Sequence, residues 1–388
     1  MMKYIKYSIS TILLLLVIYI PPVGSYYPTY FFIGFSLMII LGDFLLKKDI
    51  TIEKYSYPML INLPIYINLF LLFILLSMVI HVFSNYNSIW LISIFNKYLF
   101  IDLIHFKNSI TAIDKVSLIA TTSLFIGIMG TVPGHELTHR KRDKFDMFFG
   151  NWLLSLSWDC AFAIEHVYGH HKNVGLPSDP ATAKRGENIY FFILKASVKE
   201  QIDAWKIENE HVKRRGYNPY SIHNRMILGY LRSISIMIAA YFIGGPTGVL
   251  TFLLCALIAK ALLEVINYTE HYGLVREPGK PVEPKHSWNS NDLMSSILLY
   301  NVTRHSAHHE KANLKFWELQ SYPNAPMMPQ GYLSMLYLAI FLPYFYHKIM
   351  AKKLIHWDLN HASNEERKIA NIQNKNSGIS LLMQSSGV

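Results

Sequence analysis

Long unbroken apolar runs, rather than an alternation of apolar and polar positions, dominate this chain. They lie at 9–20, 30–46, 60–83, 114–133, 226–243 and 249–266. The longer of them reach the roughly 20 residues that a helix needs to cross a bilayer. Turn or charge signals close them: Pro21-Pro22 after the first, Lys47-Lys48 after the second, and Gly244-Gly245-Pro246 between the last two. The first run reads as a retained span rather than a cleaved leader, because the second follows almost at once. Residues 89–105 are amphipathic and short, which suits an interfacial helix. Residues 332–346 are marginal, and suit an interfacial or re-entrant segment. The pattern predicts an all-α polytopic membrane bundle of about six spans, with seven as the alternative.

Composition strengthens that reading. Of 388 residues, 52% are hydrophobic and 16% charged, against about 25% charged in ordinary soluble domains. The formal charge of +10 falls largely in loops. The loop at 47–54 and the long segment at 140–225 are rich in Lys and Arg and are assigned to the cytoplasm; the nearly uncharged turns at 21–28 and 244–248 are assigned outside. No basic stripe interleaved with aromatics suggests nucleic acid. Cys160 and Cys255 are isolated in apolar surroundings and form neither a disulfide frame nor a four-cysteine metal site. Residues 1–361 read as one membrane-embedded domain. Residues 362–388, rich in Asn, Ser, Lys and Glu, read as a disordered cytoplasmic tail.

The chemistry lies in the histidines. Nine of the seventeen fall in four short segments: His135 and His139; His166, His170 and His171; His271; and His305, His308 and His309. Neutral imidazole is the commonest metal ligand, and helical bundles build metal sites from such clusters. On a regular helix His166 and His170, at i and i+4, share a face, with His171 about 100° further round. Nine imidazoles exceed the needs of one ion and suit two, with four or five each. Glu136, Glu165 and Glu270 adjoin these histidines and are candidates to accept the second imidazole N–H. The segments lie at or just beyond the cytoplasmic ends of spans four and six, forming a histidine-rich cap. No catalytic residue beyond the ligands is singled out. His135-Glu-Leu-Thr-His139 also fits the H-E-x-x-H pattern of zinc proteases, with Glu136 as general base. That intramembrane protease reading leaves six histidines unused.

Taken together, His135-Glu-Leu-Thr-His139, Glu165-His-Val-Tyr-Gly-His-His-Lys-Asn-Val174, Asn267-Tyr-Thr-Glu-His-Tyr-Gly-Leu274, His286-Ser-Trp-Asn-Ser290 and Arg304-His-Ser-Ala-His-His309 resemble the boxes of the integral-membrane alkane monooxygenases of bacteria, within the membrane fatty acid desaturase and hydroxylase superfamily. The resemblance covers about residues 117–346. It implies two non-haem irons held by the nine histidines, O2 as co-substrate, and hydroxylation of the terminal methyl of a medium-chain n-alkane in the bacterial inner membrane, with the site on the cytoplasmic side. It also implies a rubredoxin electron donor with an NADH-dependent reductase; two cysteines cannot hold that cluster in this chain. Lys141, Arg142, Lys213, Arg214 and Arg215 are candidate docking residues, and Phe31, Phe35 and Trp90 candidate caps of a substrate channel. Ala307 departs from the family's usual Asp. The alternative on the same scaffold is a fatty acyl substrate, with terminal hydroxylation, desaturation or alkene-forming decarboxylation.

Overall fold

A computed structural model describes residues 2–385. Among the described residues there are helices and no strands; the only ladder-like pairings are isolated bridges between Lys48 and Asp292 and between Asn289 and Met327. Five helices among the described residues are long and apolar enough to cross a bilayer: Lys3–Val23, Tyr27–Leu45, Pro58–Phe83, Ala112–His139 and Arg225–His271. The chain is an integral membrane protein.

The last of these five is 47 residues long, about 70 Å if straight and twice a bilayer's apolar thickness. It is not straight. Gly245 adopts φ 59° and ψ −150° and Pro246 follows, so the helical ladder breaks there. A methyl group added at Gly248 would strike the carbonyl of Ala240, although eight helical residues would separate these groups by about 12 Å. The chain therefore reverses, and this element contains the two runs, 226–243 and 249–266, expected as separate spans. The 89–105 segment is not a straight span either: Ile89–Leu99 and Leu103–Ser109 meet at 109°.

The chain divides into two compact units. The first comprises the residues up to Met38, Tyr55–Cys160 and Arg225–Lys260. Its helices are tied by polar groups: Thr11 Oγ1 donates to Asn68 Oδ1 (2.7 Å), and at the end of its span buried Asp114 accepts from Tyr26 N (3.1 Å) and Thr29 Oγ1 (2.6 Å). Lys260 pairs with Asp159 at 2.9 Å, both buried. Many large apolar side chains, including Leu37, Phe70, Phe242 and Leu250, point outward, as a lipid-facing surface requires.

The second unit comprises Ile39–Lys54, Ala161–Asn224 and the residues from Ala261 onward. Its Ile189–Arg214 helix starts at an Asn188 cap and buries Ile189, Phe192, Ala196, Glu200, Ala204, Glu208 and Val212, a stripe at three- and four-residue spacing. The Tyr332–Phe341 helix has ten residues, too short to cross a bilayer; Pro343 opens the next helix, Pro343–Asn360.

The expected disordered tail is corrected. Asn364–Lys375 and Ser380–Ser385 are helical, the first closed by a Ser363–Glu366 capping box. Buried partners order it: Arg185 binds Asp358 through two contacts of 2.6 Å and Asn374 at 2.7 Å. Only residues 386–388 of the expected tail lie outside the described residues.

Candidate metal centre

In the first unit, the Ala112–His139 span ends in a π-helical turn, Ile126–Thr131, followed by Val132–His139. His135 and His139 stand one turn apart with their Nε2 atoms 2.9 Å from each other. Between them, Glu136 is gripped by Arg140 (2.7 Å), which also binds Asp146 and Asn62, each at 3.0 Å. Paired in this way, Glu136 is a poor general base, which removes the main support for a zinc protease.

In the second unit seven histidines converge in two groups, and the grouping differs from the regular-helix expectation. Residues His166–His170 form a π-helical turn in which His171 N–H bonds the His166 carbonyl, five residues back. That turn brings His171, not His170, round to His166: their Nε2 atoms are 3.1 Å apart, and His308 Nε2 is 3.2 Å from that of His171. His170 joins His271, His305 and His309, whose ligating nitrogens all lie within 4.8 Å of one another. Within that group the His271–His305 and His305–His309 Nε2 separations are 3.2 and 2.9 Å. The Arg304-to-His309 segment is thus shared: the i, i+4 pair His305 and His309 serves one group, and His308 the other.

These distances fit a metal. Imidazole–metal bonds near 2.1 Å set neighbouring nitrogens about 3.0–3.4 Å apart. His170 Nε2 is buried with no hydrogen-bond partner, a costly arrangement unless an ion takes the lone pair. Burial, then neighbouring His170, pushes His308 down to about 3, and burial with the surrounding imidazoles depresses His309 as well. Both rings are therefore neutral at physiological pH, the form that ligates.

The carboxylates are distributed differently from the expectation. Asp179, which the spacing did not point to, grips His170 Nδ1 with both oxygens at 3.0 Å; burial alone would raise its pKa, but His170 holds it below the ordinary range. The sequence signal was faint, since Asp179 sits in a Pro-Ser-Asp-Pro turn nine residues beyond the ring it orients. Glu270 does not meet an outer N–H. Its carboxylate lies 3.3 Å from His305 Nε2, on the ligating side, with its other oxygen unpartnered. Glu165 lies against Gly169, where a methyl group would collide with its carboxylate. His271 Nδ1 donates to the His286 carbonyl (3.1 Å). Ala307 is fully buried. Of the candidate channel caps, Phe35 is buried against Phe125, ring centroids 4.9 Å apart. Trp90 is half exposed along an apolar groove of about 530 Å3 lined by Phe73, Leu91, Phe95 and Ile236.

The fatty acid desaturase family model matches residues 116–339, more than half of the chain and all nine histidines. The chain belongs to the fatty acid desaturase family. Within it, this desaturase-family chain is 37% identical to alkane 1-monooxygenase 2 of Alcanivorax borkumensis, over 64% of the chain and 65% of that protein. It is 34% identical to alkane 1-monooxygenase 1 of Pseudomonas aeruginosa, over 60% and 62%. It is 32% identical to the hydroxylase component XylM of a Pseudomonas putida xylene/toluene monooxygenase, over 66% and 69%. The chain thus spans under two thirds of both alkane monooxygenases.

Proposed function

We propose that this protein is a non-haem diiron monooxygenase that hydroxylates the terminal methyl group of a medium-chain n-alkane, using O2 and electrons from a separate rubredoxin and its NADH-dependent reductase. The observation that carries the reading is the sorting of seven buried or half-buried imidazoles into groups of four and three. His135 and His139 offer two nitrogens, too few for an ion by themselves, and His166, His171 and His308 offer three. The nine histidines supply the ligands of two irons, with His170, His271, His305 and His309 together on one of them. An all-imidazole set without thiolate suits iron among other metals; the relatives, named as monooxygenases of alkanes and of xylene and toluene, favour iron because inert C–H bonds call for redox-active metal and O2.

When bound, the irons supply O2 reduction and the oxidising power for the C–H bond. The chain's own residues do the rest. Asp179 fixes the tautomer and orientation of His170, and the His286 carbonyl does the same for His271. Glu270, facing the four-histidine group, is placed to ligate or to accept a proton beside it. The apolar spans deliver a hydrocarbon from the bilayer. The site faces the cytoplasm across the inner membrane, where the donor docks.

Elemental analysis of detergent-purified protein, with an octane assay containing rubredoxin and its reductase, tests this. Two irons per chain and 1-octanol are expected. Two irons with turnover of fatty acyl chains but not octane moves the substrate to the acyl class; a single zinc with no oxygen consumption overturns the reading.

A further inference from the structure

The residues 284–288 run as a strap across the last turn of the long helix, where His271 stands. Three hydrogen bonds hold it there: His271 Nδ1 to the His286 carbonyl (3.1 Å), Trp288 N to the Glu270 carbonyl (2.9 Å), and Trp288 Nε1 to the Tyr272 carbonyl (2.9 Å). With its Nδ1 proton committed to a carbonyl, His271 presents the Nε2 lone pair to its neighbours. The strap is itself gripped from the far side. His286 Nδ1 accepts from Glu283 N (2.9 Å), so its Nε2 carries the proton, and that Nε2 donates to Glu366 Oε1 at 2.8 Å. Glu366 Oε2 pairs with Lys285 (2.8 Å) and caps its own helix through Ser363 N (2.8 Å). Trp357 Nε1 closes the contact on the Lys285 carbonyl (2.7 Å). Glu366, His286 and Trp357 are all buried.

A second strut runs parallel. Arg185 Nε donates to the carbonyl of Gly273, two residues beyond His271 (2.9 Å), while its guanidinium is pinned by Asp358 and Asn374. Both supports of the His271 turn therefore end on the helices Pro343–Asn360 and Asn364–Lys375, eighty or more residues away in sequence.

We propose that the C-terminal helix Asn364–Lys375 is a positioning element for the metal centre: Glu366, through His286, holds His271 in its ligating tautomer and orientation. The proposal rests on the assignment of His271 to a metal. A tail that merely packed would need only apolar contact. Here a carboxylate is buried and spends one oxygen on the ring whose backbone carbonyl orients His271. The effect is local to the four-histidine group, which distinguishes it from general destabilisation.

The test titrates the metal-free protein with Co2+, read by its d–d absorption, in wild type, E366A, E366Q and K368M, alongside iron content and melting temperature. E366A is expected to weaken one of two Co2+ sites by about 10- to 100-fold, the usual effect of removing a ligand's outer partner, and to halve the iron retained on purification. H271A should weaken the same site. E366Q, whose amide oxygen still accepts from His286, should restore most of the affinity, and K368M, at an exposed site on the same helix that pairs only with Glu365, should behave as wild type. Equal weakening of both sites in step with a lower melting temperature, or two unchanged sites in E366A, overturns the proposal. A wild-type chain that binds one ion overturns the diiron reading instead; E366A against wild type at that ion then still decides the role of Glu366.

Discussion

Single residues decide which imidazole joins which group. On a regular helix His166 and His170 would share a face; the π-helical turn exchanges His170 for His171. Gly169 lies inside that turn with no room for a methyl group beside the Glu165 carboxylate. G169A should therefore displace Glu165 or unwind the turn, and either misplaces ligands of both groups. We expect at least half of the bound iron to be lost in purified G169A, measured by elemental analysis; full occupancy with unchanged activity would show that the turn tolerates the side chain. Asp179 offers a cleaner test, since it touches His170 while standing outside the proposed ligand set. D179N retains the size but loses the charge and the fully accepting pair of oxygens on His170 Nδ1. Its metal affinity should fall about 10- to 100-fold with little change in melting temperature.

At the scale of elements, the C-terminal helices form a pH-sensitive clamp. Burial would raise the Glu366 carboxyl, but hydrogen bonds from His286 and Lys285 outweigh it and bring its pKa down from 4.5 to about 2. A carboxyl depressed in the folded state stabilises fully above its unfolded value and loses that contribution as pH falls towards the folded one. The clamp should hold at pH 5 and above and weaken progressively from about pH 4.5 towards 2. Melting temperature measured from pH 6 to 3 should fall more steeply in wild type than in E366Q; parallel curves would remove Glu366 from the acid response. This clamp also marks the boundary of what the sequence reveals. Spans are legible because an apolar run declares itself locally, and histidine clusters because ligand spacing is local too. The tail reads as polar and disordered because its order depends on Glu366 meeting His286 and on Asn374 meeting Arg185, pairings 80 and 189 residues apart. Asp179 escaped for a related reason: a turn, not a helical repeat, returns it to His170.

For the whole molecule, the decisive question is sidedness, because the proposed electron donor and the proposed metal centre must share one face of the membrane. The Gly245 reversal turns one 47-residue element into two crossings. With the four other long apolar helices, the described residues offer six candidate crossings. The proposed sidedness puts the basic loops at 47–54 and 140–225 in the cytoplasm. Substituted cysteines can read this directly, since Cys160 and Cys255 are both buried and give a low labelling background. Ser25 and Lys213 are exposed in turns or helices assigned to opposite faces. In intact spheroplasts, S25C should react with a membrane-impermeant maleimide and K213C should not. In inverted inner-membrane vesicles the pattern should reverse. Labelling of both positions from one side would mean that the number of crossings between them is even, and the most exposed candidate for miscounting is the bent pair Ile89–Leu99 and Leu103–Ser109. Should that pair cross rather than fold back, the histidine segments and any soluble donor would be separated by the membrane's apolar core, and electron delivery from the cytoplasm would fail on distance alone.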